Sequence, residues 1–286
     1  MENSKAHFQV ARKAFHRSLL ETVITIKNGV PSIADSSNQT SIRIASSILA
    51  SIGHMREEAK QPGQTAGDGF EKACCDFLNA TFPSLSHLRP GKWRIMRMGR
   101  KADGIALCDQ YCHLKDLAIL CENNSVLAST LGLDYLICPD VVILRQPEPD
   151  EFINQAQCLV DGATAALTPM RRNNSKLDIL HASVSCKYTL RSDHAQNARS
   201  EALNLIKNRK GNVPHIVVVT AEPLPSRLAS LAMGTGEIDC VYHFALPELQ
   251  AAVEQESNDD SKEALRIMVD GKRLRDIADL PLDLAI

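Results

Sequence analysis

Asp140 and Lys187 are the two residues whose types and surroundings ask for chemistry. Cys138-Pro139-Asp140 ends an apolar run, Tyr135-Leu136-Ile137-Cys138, and Val141-Val142-Ile143-Leu144 continues beyond it. Lys187 ends a second stretch, Ala182-Ser183-Val184-Ser185-Cys186. Both read as buried strands. An unpaired charge in such a place costs on the order of several kcal/mol. On adjacent strands the two would pair, and a metal ion and a phosphate between them would favour the arrangement. Asp140 would ligate Mg²⁺, which takes oxygen ligands and keeps several waters. The Cys186 backbone carbonyl would add a neutral ligand without demanding any side chain. Lys187 would hold or deprotonate an attacking water and offset phosphate charge.

Such a site needs a second acid, and Ser185, two before the lysine, is not one. Glu201 is on the next predicted helix, 193–209, whose inward stripe is Ala195, Ala198, Ala202, Leu205 and Ile206. Glu201 borders that stripe and can reach back over the strand. Glu71 is on a predicted helix over 68–81 with the stripe Phe70, Cys74, Phe77 and Leu78. It borders the apolar side near the positive N-terminal end. Taken alone, either acid reads equally well as a surface carboxylate.

Pro139-Asp140, Lys187, Arg191-Ser192-Asp193 and Glu201 together resemble the permuted PD-(D/E)XK site of type IIF restriction endonucleases. In that group the second acid has moved from the strand to the following helix. The resemblance implies Mg²⁺-dependent hydrolysis of both strands of double-stranded DNA at GCCGGC, leaving four-base 5′ overhangs. It implies a restriction–modification system in which a cognate DNA methyltransferase protects the host site, and a homotetramer built as a dimer of dimers. Asp140 and the Cys186 carbonyl would bind the metal, Glu71 and Glu201 would complete the metal and water shell, and Lys187 would orient or activate the water. Two ions about 3.5–4 Å apart would serve the attacking and leaving oxygens. Arg191 and Asp193 would read the inner CCGG, since Arg pairs with guanine O6 and N7 and Asp accepts from cytosine N4. Asp35, Ser36 and Arg227 would read the outer G·C pair, and Gln64 would enter the minor groove. Ser185 and His194 depart from the group's pattern, at the usual acid and at a basic position.

The elements that must hold these residues follow from periodicity. Helices are predicted over 4–26, with Asn28-Gly29 as its stop, and over 38–60, with Ile42, Ala45, Ile48, Leu49 and Ile52 inward. Residues 61–67 read as a loop. A helix near 150–160, an exposed loop over 170–176, strands at 215–220 and 240–244 and a helix near 247–255 follow. Residues 254–263 read as an acidic, mobile segment. Arg89, Lys92, Arg94, Arg97, Arg100 and Lys101 fall in one stretch without an acid. That stretch fits phosphate contact or an edge strand guarded by charge. The sum is an α/β fold, a central mixed β-sheet flanked by helices, as a single domain over 1–286.

Composition narrows the classes. The net charge of −2 gives no overall pull toward nucleic acid, so a basic surface must be local. Aromatics at 4% argue against stacking platforms for single strands. No run approaches the roughly 20 apolar residues of a membrane span, and no signal core follows the N-terminus, which points to the cytoplasm. The nine cysteines lack zinc-site spacing and read as core thiols. Two other readings remain open at this point, a structure-selective or repair nuclease and an inactive DNA-binding protein on the same core.

Overall fold

The computed structural model describes residues 5–53, 63–99, 104–131, 137–190, 192–234 and 236–286. Among them, the N-terminal part contains α1 (His7–Thr22), a two-residue hairpin of β1 (Ile26–Lys27) and β2 (Val30–Pro31), α2 (Gln39–Ile52) and α3 (Gly63–Thr81). There follow β3 (Trp93–Arg97), α4 (His113–Glu122), α5 (Ser125–Leu131), β4 (Val141–Arg145), α6 (Asp150–Ile153), β5 (Ile179–Lys187) and α7 (Ser192–Asn208). The C-terminal part is β6 (His215–Thr220), α8 (Pro225–Ala232), β7 (Cys240–His243), α9 (Leu246–Glu256), α10 (Asp259–Asp270), β8 (Leu274–Asp276) and α11 (Leu280–Asp283).

The six strands β3 to β8 form one sheet in sequence order. The pairs β3–β4 and β4–β5 are antiparallel, and β5–β6, β6–β7 and β7–β8 are parallel. This is the mixed α/β sheet expected from the pattern. Val141, Val142, Ile143 and Leu144 are all buried, as are Ile216 to Thr220. Such unbroken runs, without alternation, mark strands covered on both faces. Helix α3 packs on β3, β4 and β5, and α8 and α9 lie against β7 and β8.

The chain departs from the periodicity reading in instructive places. Asn28 and Gly29 have φ of 51° and 74° and form the turn of the β1–β2 hairpin rather than a helix stop. Two positive φ values in succession are what an Asn-Gly hairpin turn requires. Helix α2 starts where Asn38 accepts the Ser41 N–H at 3.0 Å and ends at Ile52, with Gly53 at its C-cap; residues 54–60 of the predicted helix fall outside the described residues. Helix α3 begins at Gly63, inside the predicted loop. The helix near 150 is one turn long. Arg171, in the predicted exposed loop, is 4% exposed and grips Asp150 through Nε at 2.9 Å and Nη2 at 2.6 Å. Residues 254–263 are not a mobile link. Helix α9 ends at Glu256, and Asn258 caps α10 by accepting the Ser261 N–H at 3.1 Å.

Within the basic stretch, Trp93–Arg97 is the edge strand β3. Arg94 pairs with Asp178 at 2.6 Å, and Lys92 lies 3.8 Å from Glu148. Arg97 turns inward to Glu71 and Asp68. Arg100 and Lys101 lie outside the described residues. No helix among the described residues is long and apolar enough to cross a membrane.

Candidate active site

Asp140 stands at the entrance of a strand. It directly precedes β4, because Pro139 has no N–H to extend a ladder. Its carbonyl accepts the Met98 N–H at 3.2 Å, which ties it to the end of β3. Val141 pairs with Val184 in the adjoining β5, so Asp140 and the end of β5 share one edge of the sheet.

There the Cys186 N–H donates to Asp140 Oδ2 at 2.7 Å, and Lys187 Nζ donates to the same oxygen at 3.4 Å. Lys187 Nζ also lies 3.9 Å from Glu201 Oε2. Glu201 reaches this point because Ala195, Ala198, Ala202 and Leu205 bury the inner stripe of α7 and leave Glu201 on its border. Ser185 Oγ donates to Glu201 Oε2 at 3.5 Å, so the serine and the helix acid address the same spot. The structure therefore brings Asp140, Lys187 and Glu201 together.

Glu71 joins from α3. Its neighbour Phe70 packs on Tyr188 with ring centroids 5.7 Å apart, and Tyr188 shares a 2.6 Å hydrogen bond with Ser32. This pins α3 to the chain just past Lys187. Arg97 Nη2 donates to Glu71 Oε2 at 3.3 Å and also bonds Asp68. Composition alone marked Arg97 only as part of a basic run; its role as counter-ion to Glu71 depends on pairing 26 positions apart.

The electrostatics are uneven. Burial raises Glu71, and the charge of Asp140 raises it further against the pull of Arg97. Burial also raises Glu201, with Lys187 opposing and Asp140 reinforcing. For Lys187, burial disfavours the ammonium, but Asp140 and Glu201 outweigh it and raise the group above its ordinary value. The acids are under-compensated, and additional positive charge would relieve them.

The donor set fits a hard divalent cation. It offers carboxylate oxygens and the Cys186 carbonyl. The bonds that Asp140 accepts on its side chain both fall on Oδ2, which leaves Oδ1 for a cation. The Cys186 thiol is no soft ligand. A hydrogen bond with Cys74 and burial hold it well above the ordinary thiol range. Among the described residues no group of three His, Cys, Asp or Glu forms a ready-made metal cage. Mg²⁺ does not need one, since it is commonly held by one or two carboxylates together with waters and substrate phosphates. Other cysteines, Cys74, Cys75, Cys108, Cys121 and Cys240, are buried and free, whereas Cys112 and Cys158 are exposed.

The expected DNA-reading residues are placed unequally. Arg191 and the side chains of Asp193 and Gln64 lie outside the described residues. The backbone puts position 193 in the first turn of α7 and position 64 in the first turn of α3. Asp35 and Arg227, 192 positions apart, bond each other. Asp35 is held down to about 2, first by bonds from Ser37 and then by Arg227. Ser36 is exposed beside them. Glu222 was not singled out by sequence reasoning, although an acid two residues past an apolar strand repeats the signal that marked Asp140. It is buried behind Arg227, 3.7 Å from Nη1.

Comparison with known proteins agrees with this frame. The family model for the NgoMIV restriction enzyme matches residues 15–286. The type II restriction enzyme NgoMIV of Neisseria gonorrhoeae is 49% identical over 282 residues, covering 98% of this chain and 99% of that protein.

Proposed function

This chain belongs to the NgoMIV restriction enzyme family and is a site-specific restriction endonuclease, and on that premise we propose that it hydrolyses both strands of duplex DNA at GCCGGC. Cleavage uses Mg²⁺ and leaves four-base 5′ overhangs. The observation that carries this reading is the convergence of Asp140 at the entrance of β4, Lys187 at the end of β5 and Glu201 on α7.

Asp140 and the Cys186 carbonyl would hold the metal, and Glu71 and Glu201 would complete its shell through oxygen or water. When bound, Mg²⁺ polarises the phosphate and lowers the pKa of a coordinated water. Lys187, raised by its two acids, is an ammonium at neutral pH. It acts as a donor that orients the water and stabilises charge developing on the phosphate, rather than as the base. Glu201, bonded by Ser185, accepts from that water. Arg97 keeps Glu71 in place while leaving it only partly neutralised.

Arg191 and Asp193 read the inner C·G pairs, and Arg227, Asp35 and Ser36 read the outer pair. Gln64 contacts the minor groove. The enzyme works as a single nuclease domain per subunit, in a homotetramer, in the cytoplasm, beside a methyltransferase that protects the host sequence. The test is to map cleavage ends on a sequenced plasmid with Mg²⁺. The expected result is cuts at GCCGGC alone with four-base 5′ extensions. Cuts at unrelated sequences, or cleavage confined to branched or damaged DNA, would refute it.

A further inference from the structure

Glu222 lies two residues past the end of β6 and is 1% exposed. Its Oε2 accepts the Leu190 N–H at 2.9 Å, and its Oε1 accepts the Leu224 N–H at 3.1 Å. The same Oε2 stands 3.7 Å from Arg227 Nη1, while Arg227 Nη2 bonds Asp35. Its own N–H donates to Thr220 Oγ1 at 3.2 Å.

These partners belong to different segments. Leu190 immediately precedes Arg191 and the start of α7. Leu224 is the N-terminal flanking residue of α8, which carries Arg227 three positions on. A carboxylate buried this deeply is expensive unless its bonds are all used. Here one carboxylate holds the backbone at the root of one reading segment, the backbone at the root of the other, and the guanidinium of the second. None of Asp140, Lys187 and Glu201 is among its hydrogen-bond or ion-pair partners. Two of its partners, Leu190 and Arg227, also line the cleft between α7 and α8, together with Gln196 and Ser226.

We propose that Glu222 is a positioning and specificity-determining residue. It sets the segment that starts at Leu190 and the Arg227 side chain in one frame, so that the inner and outer base pairs are read together. This rests on the functional reading given above. A carboxylate that merely braced the turn after β6 would, once altered, slow cleavage of every site alike. A carboxylate that registers two readers would, once altered, change the ratio between sites.

The full-length protein is assayed with Mg²⁺ on duplexes carrying GCCGGC or ACCGGT, which differ only in the outer pair. Glu222→Gln keeps the side chain's shape but removes its charge and one acceptor. The ratio of kcat/KM for GCCGGC over ACCGGT is expected to fall about tenfold, the scale of one well-formed base contact. The loss should lie mostly in KM for GCCGGC, with the single-turnover rate at saturation changed only a few-fold. An unchanged ratio, or an equal loss on both duplexes, overturns the proposal.

A second arm needs no variant. Burial raises Glu222 to about 6 despite its two backbone bonds and Arg227. The charged and titratable groups that face it are Arg227, Asp35, held at about 2, and His243, lowered to about 4 by burial. Glu222 alone among them changes charge between pH 8 and 5.5. The wild-type ratio should fall over that range, and dividing the two rates cancels catalytic titrations common to both duplexes. A flat wild-type ratio overturns the proposal even if Glu222→Gln fails to fold. A wild type that ignores GCCGGC would instead overturn the functional reading, so the two failures are told apart.

Discussion

Two part-buried charge clusters in this molecule use the same kinds of charged group to opposite effect. In the first, Arg12 of α1 reaches across to Glu248 of α9 and Asp276 at the end of β8. It makes bonds of 2.9 and 2.5 Å to the former and 2.8 and 2.9 Å to the latter. Burial works against Glu248, but Arg12 more than compensates and holds it below the ordinary range. In the second, Lys187 faces Asp140 and Glu201 at 3.4 and 3.9 Å, Arg97 faces Glu71, and Glu71 and Glu201 stay raised. A planar guanidinium meets two carboxylates edge on, while an ammonium is a point charge that cannot. The first cluster is complete within the chain and joins three elements. The second is short of positive charge at the edge where β5 and β6 end. That deficit, rather than burial alone, separates the two clusters.

The contrast predicts opposite outcomes for activity and stability. Asp140→Asn should lower single-turnover cleavage by about a thousandfold or more. Its urea midpoint should equal or exceed the wild type's, because the Asp140 charge helps to raise both Glu71 and Glu201. A variant that loses stability as steeply as activity would break the comparison. Arg12→Ala should do the reverse. It leaves two part-buried carboxylates unpaired and should cost about 3 kcal/mol of unfolding free energy, while the folded fraction cleaves at the wild-type rate.

The pH dependence is subtler and splits the same way. Glu71 and Glu201 have folded values above the ordinary 4.5, so they take up protons first as pH falls. Their protonation removes acceptors from the site, and cleavage declines. Because their folded values are raised, the stability they contribute grows through that same window and is lost as pH rises. Glu248 has a lowered folded value, so its stabilisation is present above 4.5 and is lost as pH falls through its folded value. Rate and melting profiles measured together should therefore show activity falling before stability does. Coincident profiles would mean that the two clusters are not electrostatically distinct.

Local chemistry made much of the frame legible in the sequence. The apolar run of β6 and the small-residue stripe of α7 are strong periodic signals, and both elements lie where they were expected. Errors arose where one local signal had two meanings. Asn28-Gly29 stops helices and also turns hairpins. The Asp140 that ends the 135–138 apolar run in sequence also opens the next one, and in the fold it stands at the entrance of β4. Arg171 looked solvated because nothing local shows that Asp150, 21 positions away, will bury it. The site itself was least accessible to periodicity, since Asp140, Lys187 and Glu201 meet only through the β4–β5 pairing and the crossing of α7. Resemblance to a family pattern supplied that grouping. The Asp35–Arg227 pair and the Glu222–Leu190 bond join residues 192 and 32 positions apart, which no local periodicity encodes.

The most direct test concerns the acid on α7. Single-turnover cleavage of a one-site duplex with Mg²⁺ is measured for Glu201→Ala, and for the same variant carrying Ser185→Glu. Removing Glu201 should slow cleavage about a hundredfold or more. Restoring a carboxylate from position 185, whose side chain already meets Glu201 Oε2 at 3.5 Å, should recover a measurable part of that loss. A Glu201→Ala enzyme that cleaves at the wild-type rate would contradict the account.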